Sequence, residues 1–467
     1  MRFRPLALAL TAAFAAPLAQ AGDLMQTYQL ARGHDPQIAA AEAGQRVTAE
    51  GEVQTRAAML PQIGASTGIN RSRSTNESGQ AIYDPTTGLL ISGGQRGSTS
   101  TTRNAGFNID QMLFNGQTIG RHRAQKLQTR AGDHDLEAAG DQLITRTSRA
   151  YFDALIAMET LAAAEAQEAA LKKQFDFASK RLEVGLAPIT DQHEARAQYE
   201  GARANTILQR NALEDAYQAL AEITGQPVRS LMALPDDFKP QLPAEGSAED
   251  WVNLAVDNNP ALAAQKTRVA VAEQNISTAR AGHLPSIGAR GTWGYQRFNG
   301  VNEQIRRTFS NNGWGRNASI SLNVNIPIFS GGATQSQVRQ AIAQRDVAEQ
   351  QLEQQKRALE RNTRNAYQSL SAGISAVEAR RLALVAAQSA YDASQVGLEV
   401  GTRTVIDVLL NQQNLFNAQQ NYAKAKYDYL QAHLLLRQAA GTLETNDLQD
   451  INRLLTAPAG KAPRVTL

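Results

Sequence analysis

The residue patterns that most often carry chemistry occur in this 467-residue chain only as fragments. Gly64-Ala65-Ser66-Thr67-Gly68 fits the spacing of a nucleophile elbow. That pattern works only on a strand-to-helix turn that lifts the serine clear of the sheet. Here it lies inside a run of alternating apolar and polar residues, and the matching position of an internal repeat holds Arg290. The six histidines, His34, His122, His134, His193, His283 and His433, are scattered, and no two stand one helical turn apart. No helix face therefore offers the paired imidazoles of a zinc site. The chain has no cysteine, which excludes disulfides, thiolate metal sites and thiol nucleophiles. No phosphate loop or dinucleotide fingerprint is present. The expectation is a protein that is not an enzyme and holds no cofactor or metal.

The polar residues that remain candidates gather at two glycine turns. Gly401 is followed by Arg403 and by Thr404-x-x-Asp407, and Gly185 is followed by Thr190-Asp191. Thr404 and Asp407 have the spacing of a capping pair that starts a helix, and Thr190-Asp191 could start one in the same way. Each turn ends a long helix far from the strands. Arg403 stands beside the second turn only, and Ala187 occupies the matching place in the first.

That matching is itself a finding, because the chain is built twice. His34-Asp35-Pro36 recurs 224 residues later as Asn258-Asn259-Pro260, and Leu60-Pro61-Gln62-Ile63-Gly64 recurs at the same offset as Leu284-Pro285-Ser286-Ile287-Gly288. Ala150-Tyr151, Leu182-Glu183-Val184-Gly185, Asp191 and Gly225 recur 216 residues on, as Ala366-Tyr367, Leu398-Glu399-Val400-Gly401, Asp407 and Gly441. A constant offset over so long a span means an element without insertions. We divide the chain into an export segment at 1–21, a first repeat at 22–225, a linker at 226–250, a second repeat at 251–441 and a peripheral end at 442–467.

Each repeat reads helix, strand, loop, strand, very long helix, turn, helix. Pro36 to Leu60 is rich in Ala, Glu, Gln and Arg, which favour helix, with Pro36 suited to the first turn and Pro61 ending it. Thr118 to Val184 and Ala333 to Val400 contain no proline and repeat apolar residues at helical spacing over a small, alanine-rich seam. At 1.5 Å per residue each spans roughly 100 Å, and the return helix from Ile189 to Ile223 roughly 52 Å. Strict alternation marks the strands. Ile63, Ala65, Thr67 and Ile69 share one face, as do Phe107, Ile109, Gln111 and Leu113. Ile287 to Tyr295 and Ile320 to Ile328 alternate in the same way. Ser72 to Thr102 and Gln296 to Arg316, full of Gly, Ser, Thr and Asn, read as surface loops.

Four such strands match the length of membrane β-strands but cannot close a barrel, since single-chain barrels begin at about 8 strands. An open edge in lipid would leave backbone groups unpaired at several kcal/mol each. The strands must close through copies of the chain, and three copies give a roomier lumen than two. The fold class expected is mainly α with a β-barrel part: a homotrimer whose strands close a membrane β-barrel and whose long helices pair as rods beside it. The termini and charge agree with export. Arg2 and Arg4 precede an apolar run from Leu6 to Leu18 and a small-residue cleavage site at Ala19-Gln20-Ala21. The net charge is only +3, with no basic cluster among aromatics, so no nucleic-acid partner is expected. The competing reading is a structural or adhesive trimeric surface coiled coil. Such a protein would keep its strands at the C-terminus, whereas here both repeats carry them.

Leu398-Glu399-Val400-Gly401-Thr402-Arg403-Thr404-Val405-Ile406-Asp407-Val408-Leu409 resembles the signature turn of the TolC family, and Val184-Gly185-Leu186-Ala187-Pro188-Ile189-Thr190-Asp191 resembles its first-repeat partner. Gly282-His283-Leu284-Pro285 and Pro327-Ile328-Phe329-Ser330-Gly331-Gly332 also resemble family motifs. The resemblance implies a homotrimer with a twelve-strand barrel and a twelve-helix tunnel in a Gram-negative envelope. It implies an exit duct for efflux or type I secretion, working with a periplasmic adaptor (membrane fusion) protein and an inner-membrane transporter of the RND, ABC or MFS type. It further implies that Asp407 matches a ring aspartate at the tunnel mouth, that Arg403 matches a linking arginine, and that Thr190 and Asp191 match its partners. The chain departs from the pattern at Leu410, where a second acidic ring is usual, and at Leu398, where a tyrosine is usual.

Overall fold

The computed structural model describes residues 22–76, 82–92, 96–186, 188–235, 238–241, 246–302, 307–310 and 314–459. The expected export segment at 1–21, position 187 and the chain end from 460 lie outside the described residues. In order, the helices are α1 (Leu24–His34), α2 (Pro36–Ala57), α3 (Gly116–Glu183), α4 (Ile189–Thr224), α5 (Ala248–Asn258), α6 (Pro260–Arg280), α7 (Ala333–Glu399), α8 (Val405–Ala440) and α9 (Thr445–Leu454). The strands are β1 (Gln62–Asn76), β2 (Ile82–Tyr83), β3 (Leu90–Ser92), β4 (Arg96–Asn115), β5 (Met232–Ala233), β6 (Ser286–Asn302), β7 (Arg307–Ser310), β8 (Gly315–Asn325) and β9 (Ala457–Pro458).

The long helices fall within two residues of the bounds read from sequence. Contacts divide the chain into two compact units that each draw on both repeats: Met1–Gln45 with Asp133–Ala264 and Glu353–Leu467, and Arg46–Gly132 with Gln265–Leu352. In the first unit the repeat is visible at the level of single caps. Asp35 accepts from the amides of Gln37 and Ile38 to start α2, and Asn259 accepts from Leu262 to start α6. Burial works against the Asp35 charge, but the Arg146 guanidinium and those two amides outweigh it and hold the carboxyl below its ordinary range. The core of this unit joins α1, α3, α4, α7 and α8 through Leu24, Tyr151, Phe152, Leu220, Leu370, Tyr427 and Leu434. The Tyr151 hydroxyl donates to Met232 O and accepts from Met232 N, tying β5 and the inter-repeat segment to α3. Among the described residues no helix is long and apolar enough to cross a membrane.

The second unit holds an antiparallel sheet in which β1 pairs β4, β4 pairs β6, and β6 pairs both β7 and β8. Three sequence expectations need correction here. The loops are shorter than Ser72–Thr102 and Gln296–Arg316, because β1 and β4 stay in register from Arg71↔Thr101 to Asn76↔Arg96, and β6 continues to Asn302. Serine and threonine suit surface loops, yet hydroxyls on facing strands also bond each other, as Ser72 and Ser100 do at 2.7 Å. β8 ends at Asn325 and not at Ile328, since Pro327 has no N–H for a ladder. Leu113 does not continue the face of Phe107, Ile109 and Gln111, because the β4–β6 register shifts between Met112 and Phe114, a bulge that breaks the two-residue period.

With register fixed, the faces are unambiguous. One carries Ile63, Ile69, Phe107, Ile109, Trp293, Ile320, Leu322 and Val324, all of them exposed. The other carries Ser66, Asn70, Asn104, Asn108, Thr292, Ser319, Ser321 and Asn323. β1 is one outer edge of this sheet, and β8 together with the short β7 forms the other.

Candidate functional site

The two glycine turns have the same backbone. Leu186 N donates to Arg181 O at 2.7 Å and Gly185 N to Leu182 O at 3.0 Å; Thr402 N donates to Gly397 O at 2.8 Å and Gly401 N to Leu398 O at 3.2 Å. Each pair is the six-to-one and five-to-two bonding of a Schellman motif. It requires a left-handed residue at the pivot, and Gly185 and Gly401 sit at φ 72° and 78°. Any side chain there is strained.

The helices that leave the turns start differently. Thr404 is the N-cap of α8, and its capping box is complete: Thr404 N donates to Asp407 Oδ2 at 2.9 Å and Asp407 N to Thr404 Oγ1 at 3.3 Å. The Thr404 amide, then its hydroxyl, then the Arg403 charge hold the Asp407 carboxyl below its ordinary range. α4 starts at Pro188 with no side-chain cap. Thr190 and Asp191 lie inside its first turn, so Thr190 does not cap, and its hydroxyl reaches only Asp191 Oδ1 at 3.5 Å. Asp191 and Asp407 nonetheless occupy the same third helical position, consistent with the 216-residue offset.

Arg403 is exposed and makes no ion pair among the described residues. Its stem lies on Gly397, where an added Cβ would come within 2.6 Å of Arg403 Cγ. Within one chain nothing joins Arg403 to Thr190 or Asp191. The four helices do meet nearby, since Leu171 of α3, Ala202 and Tyr199 of α4, Leu398 of α7, and Val405 and Leu409 of α8 form one apolar cluster. Leu398 serves there as packing and has no hydroxyl to offer. Leu410 is 60% exposed and adds no charge.

Two features escaped the sequence reading. Gly397 looked like an ordinary helical residue, yet it makes room for Arg403. The second is a buried pair. Lys426 of α8 lies 3.3 Å from Glu159 of α3, with side chains 1% and 5% exposed. Tyr427 donates to the same carboxylate at 2.6 Å, and burial together with the Glu159 charge raises the Tyr427 phenol well above its ordinary range. The available signal was a lysine set among Tyr422, Tyr427, Leu430 and Leu434 on one helix.

Residues 27–226 and 251–442 match the family model described as outer membrane efflux protein. The chain is 34% identical to the outer membrane protein TolC of Vibrio cholerae over 433 residues, covering 92% of this chain and 93% of that protein. It is 29% identical to the alkaline protease secretion protein AprF of Pseudomonas aeruginosa over 432 residues, covering 91% and 86%. Among solved structures it resembles the Campylobacter jejuni CmeC outer membrane channel, with a TM-score of 0.75, 18% identity, and 92% and 89% of the two chains covered.

Proposed function

Because the chain belongs to the outer membrane efflux protein family, we infer that it is the outer-membrane exit duct of an efflux or type I secretion assembly, conducting small molecules or proteins passively to the exterior. The observation that carries this reading is the two-faced sheet with open edges. An exposed apolar face suits lipid and a serine- and asparagine-lined face suits a water-filled lumen. The free edges of β1 and β8 would each leave a row of backbone groups unpaired in hydrocarbon. Three copies of β1, β4, β6 and β8 close as twelve strands, so the working unit is a homotrimer. With no nucleotide-binding motif of its own, the duct depends on an inner-membrane transporter of the RND, ABC or MFS type, joined through a periplasmic adaptor.

The gate belongs to the same reading. Arg403 makes no ion pair among the described residues, and its repeat partner is an alanine, so it is available to bond Thr190 or Asp191 of a neighbouring helix pair. Asp407 supplies a charge at the mouth. Mass measurement in detergent should give three chains per particle, and planar bilayers should show discrete channels. A monodisperse monomer that forms no channels would overturn the assignment.

A further inference from the structure

The sheet carries six arginines whose side chains are described, and their distribution between the two faces is uneven. Arg290 is on the polar face and pairs with Asp110. Arg71, Arg73, Arg103, Arg297 and Arg316 are all on the apolar face. None of the five has an ion pair among the described residues, and β1, β4, β6 and β8 contain no acidic residue other than Asp110. The Nε of Arg297 is shielded from solvent without a hydrogen-bond partner.

Four of the five, all but Arg73, are also ordered in height. Arg103 and Arg297 are direct partners across β4 and β6, Arg71 is one same-face row farther from the helices, and Arg316, opposite Tyr295, is one row nearer. From β1 to β8 the arginines thus descend two rows over three strand spacings, roughly 13 Å along the strands. Strands tilted by about 40° in a barrel and about 4.8 Å apart require a shift of about 12 Å over the same three spacings to stay level. The arginines therefore form a level ring when the sheet is tilted as in a barrel. Phe107, Trp293 and Tyr295 lie just beneath it on the same face, with Arg316 over the Tyr295 ring at 5.8 Å. Ile63 to Arg71 spans about 27 Å of strand, or about 21 Å of height at that tilt, close to the apolar band of about 25 Å in outer-membrane barrels.

We propose that Arg71, Arg103, Arg297 and Arg316 form a binding girdle for the phosphate groups of lipids in the leaflet away from the helices, repeated three times around the trimer. Guanidinium is suited to this role because its planar fork takes phosphate oxygens in pairs. A cation facing lipid without a carboxylate is tolerated where it meets a charged headgroup. The proposal rests on the trimeric duct reading, since only closure turns the apolar face toward lipid.

The test uses delipidated wild-type trimer titrated with diphosphorylated lipid A and counted by native mass spectrometry. Replacing all four residues by glutamine should raise the half-saturating concentration on the order of tenfold or more, while replacing all four by lysine should raise it less, because the charge is retained and only the paired fork is lost. Dephosphorylated lipid A should bind wild type as weakly as the intact lipid binds the glutamine variant. Equal binding of the glutamine variant and wild type, or equal binding of the two lipids to wild type, overturns the girdle. The two-lipid comparison decides the matter even if the glutamine variant does not assemble. A wild-type preparation that is not trimeric refutes the duct reading separately.

Discussion

Lys426→Met tests what holds α8 to α3. Lys426 and Glu159 are almost fully buried and 3.3 Å apart, and the ammonium also lies 5.2 Å from the Tyr422 ring and 5.5 Å from the Tyr427 ring. Methionine keeps the length and apolar bulk of the lysine stem, so little cavity cost is added. What is lost is the counter-charge, and breaking one side of a buried pair costs about 3–5 kcal/mol because the remaining charge is left uncompensated. The Tyr427 bond to Glu159 at 2.6 Å survives and keeps the loss at the lower end of that range. Thermal melting of the helical signal in detergent should drop clearly at pH 8. Glu159→Gln combined with Lys426→Met should recover most of the stability, because replacing both members of such a pair is often close to neutral. If the single variant melts within about one degree of wild type, which for a chain of this size corresponds to about 1 kcal/mol, or if the double variant is no better than the single, the pair does not compensate as argued.

Three further outcomes follow from the geometry. Burial and the neighbouring Glu137 push the Asp141 carboxyl up to about 6, above its unfolded value of about 3.9. Its protonated form therefore adds stability below pH 4 that is lost as pH rises through 6, and Asp141→Asn should match wild type in acid and melt higher at pH 7. Gly397→Ala should displace the Arg403 stem while costing the helix little, because alanine is the better helix former; in planar bilayers it should raise resting conductance as Arg403→Ser does, and no change in either variant would reduce Arg403 to a turn residue. Asp407→Asn should leave resting conductance similar and weaken block by multivalent cations. In wild type that block should persist at pH 5, because the Thr404 amide and hydroxyl hold the carboxyl below its ordinary range.

The long helices and their stops were legible because each signal is local. A proline-free run needs no partner to be read, and a glycine at a fixed offset in both repeats marks the left-handed pivot. The sheet was legible in its faces and poorly legible in its lengths. Ser72, Ser100 and Thr101 look like loop residues one at a time, and only a facing strand shows that they extend a ladder. The bulge at Leu113 and the end of β8 before Pro327 likewise depend on what a neighbouring strand can bond. At the turns the sequence placed Asp191 and Asp407 correctly but gave Thr190 a capping role. Position 188 shows why: it holds proline where the second repeat has Thr404, so the first copy starts its helix by backbone geometry alone.

That single difference bears on the proposed gate. In the second repeat a cap bonds Asp407 to its own helix start, which leaves Arg403 as the side chain with bonding capacity to spare. In the first repeat no cap engages the helix start, and Asp191 is held only by the long contact to Thr190. One copy therefore presents an unsatisfied donor and the other a lightly held acceptor. An exposed pair of this kind is worth only about 0–1 kcal/mol, too little to fix a fold. Three such pairs around a symmetric mouth are enough to bias an open–closed balance without locking it. Duplication supplied two nearly identical turns, and in the proposed gate divergence at positions 187 and 188 against 403 and 404 is what lets them complement each other.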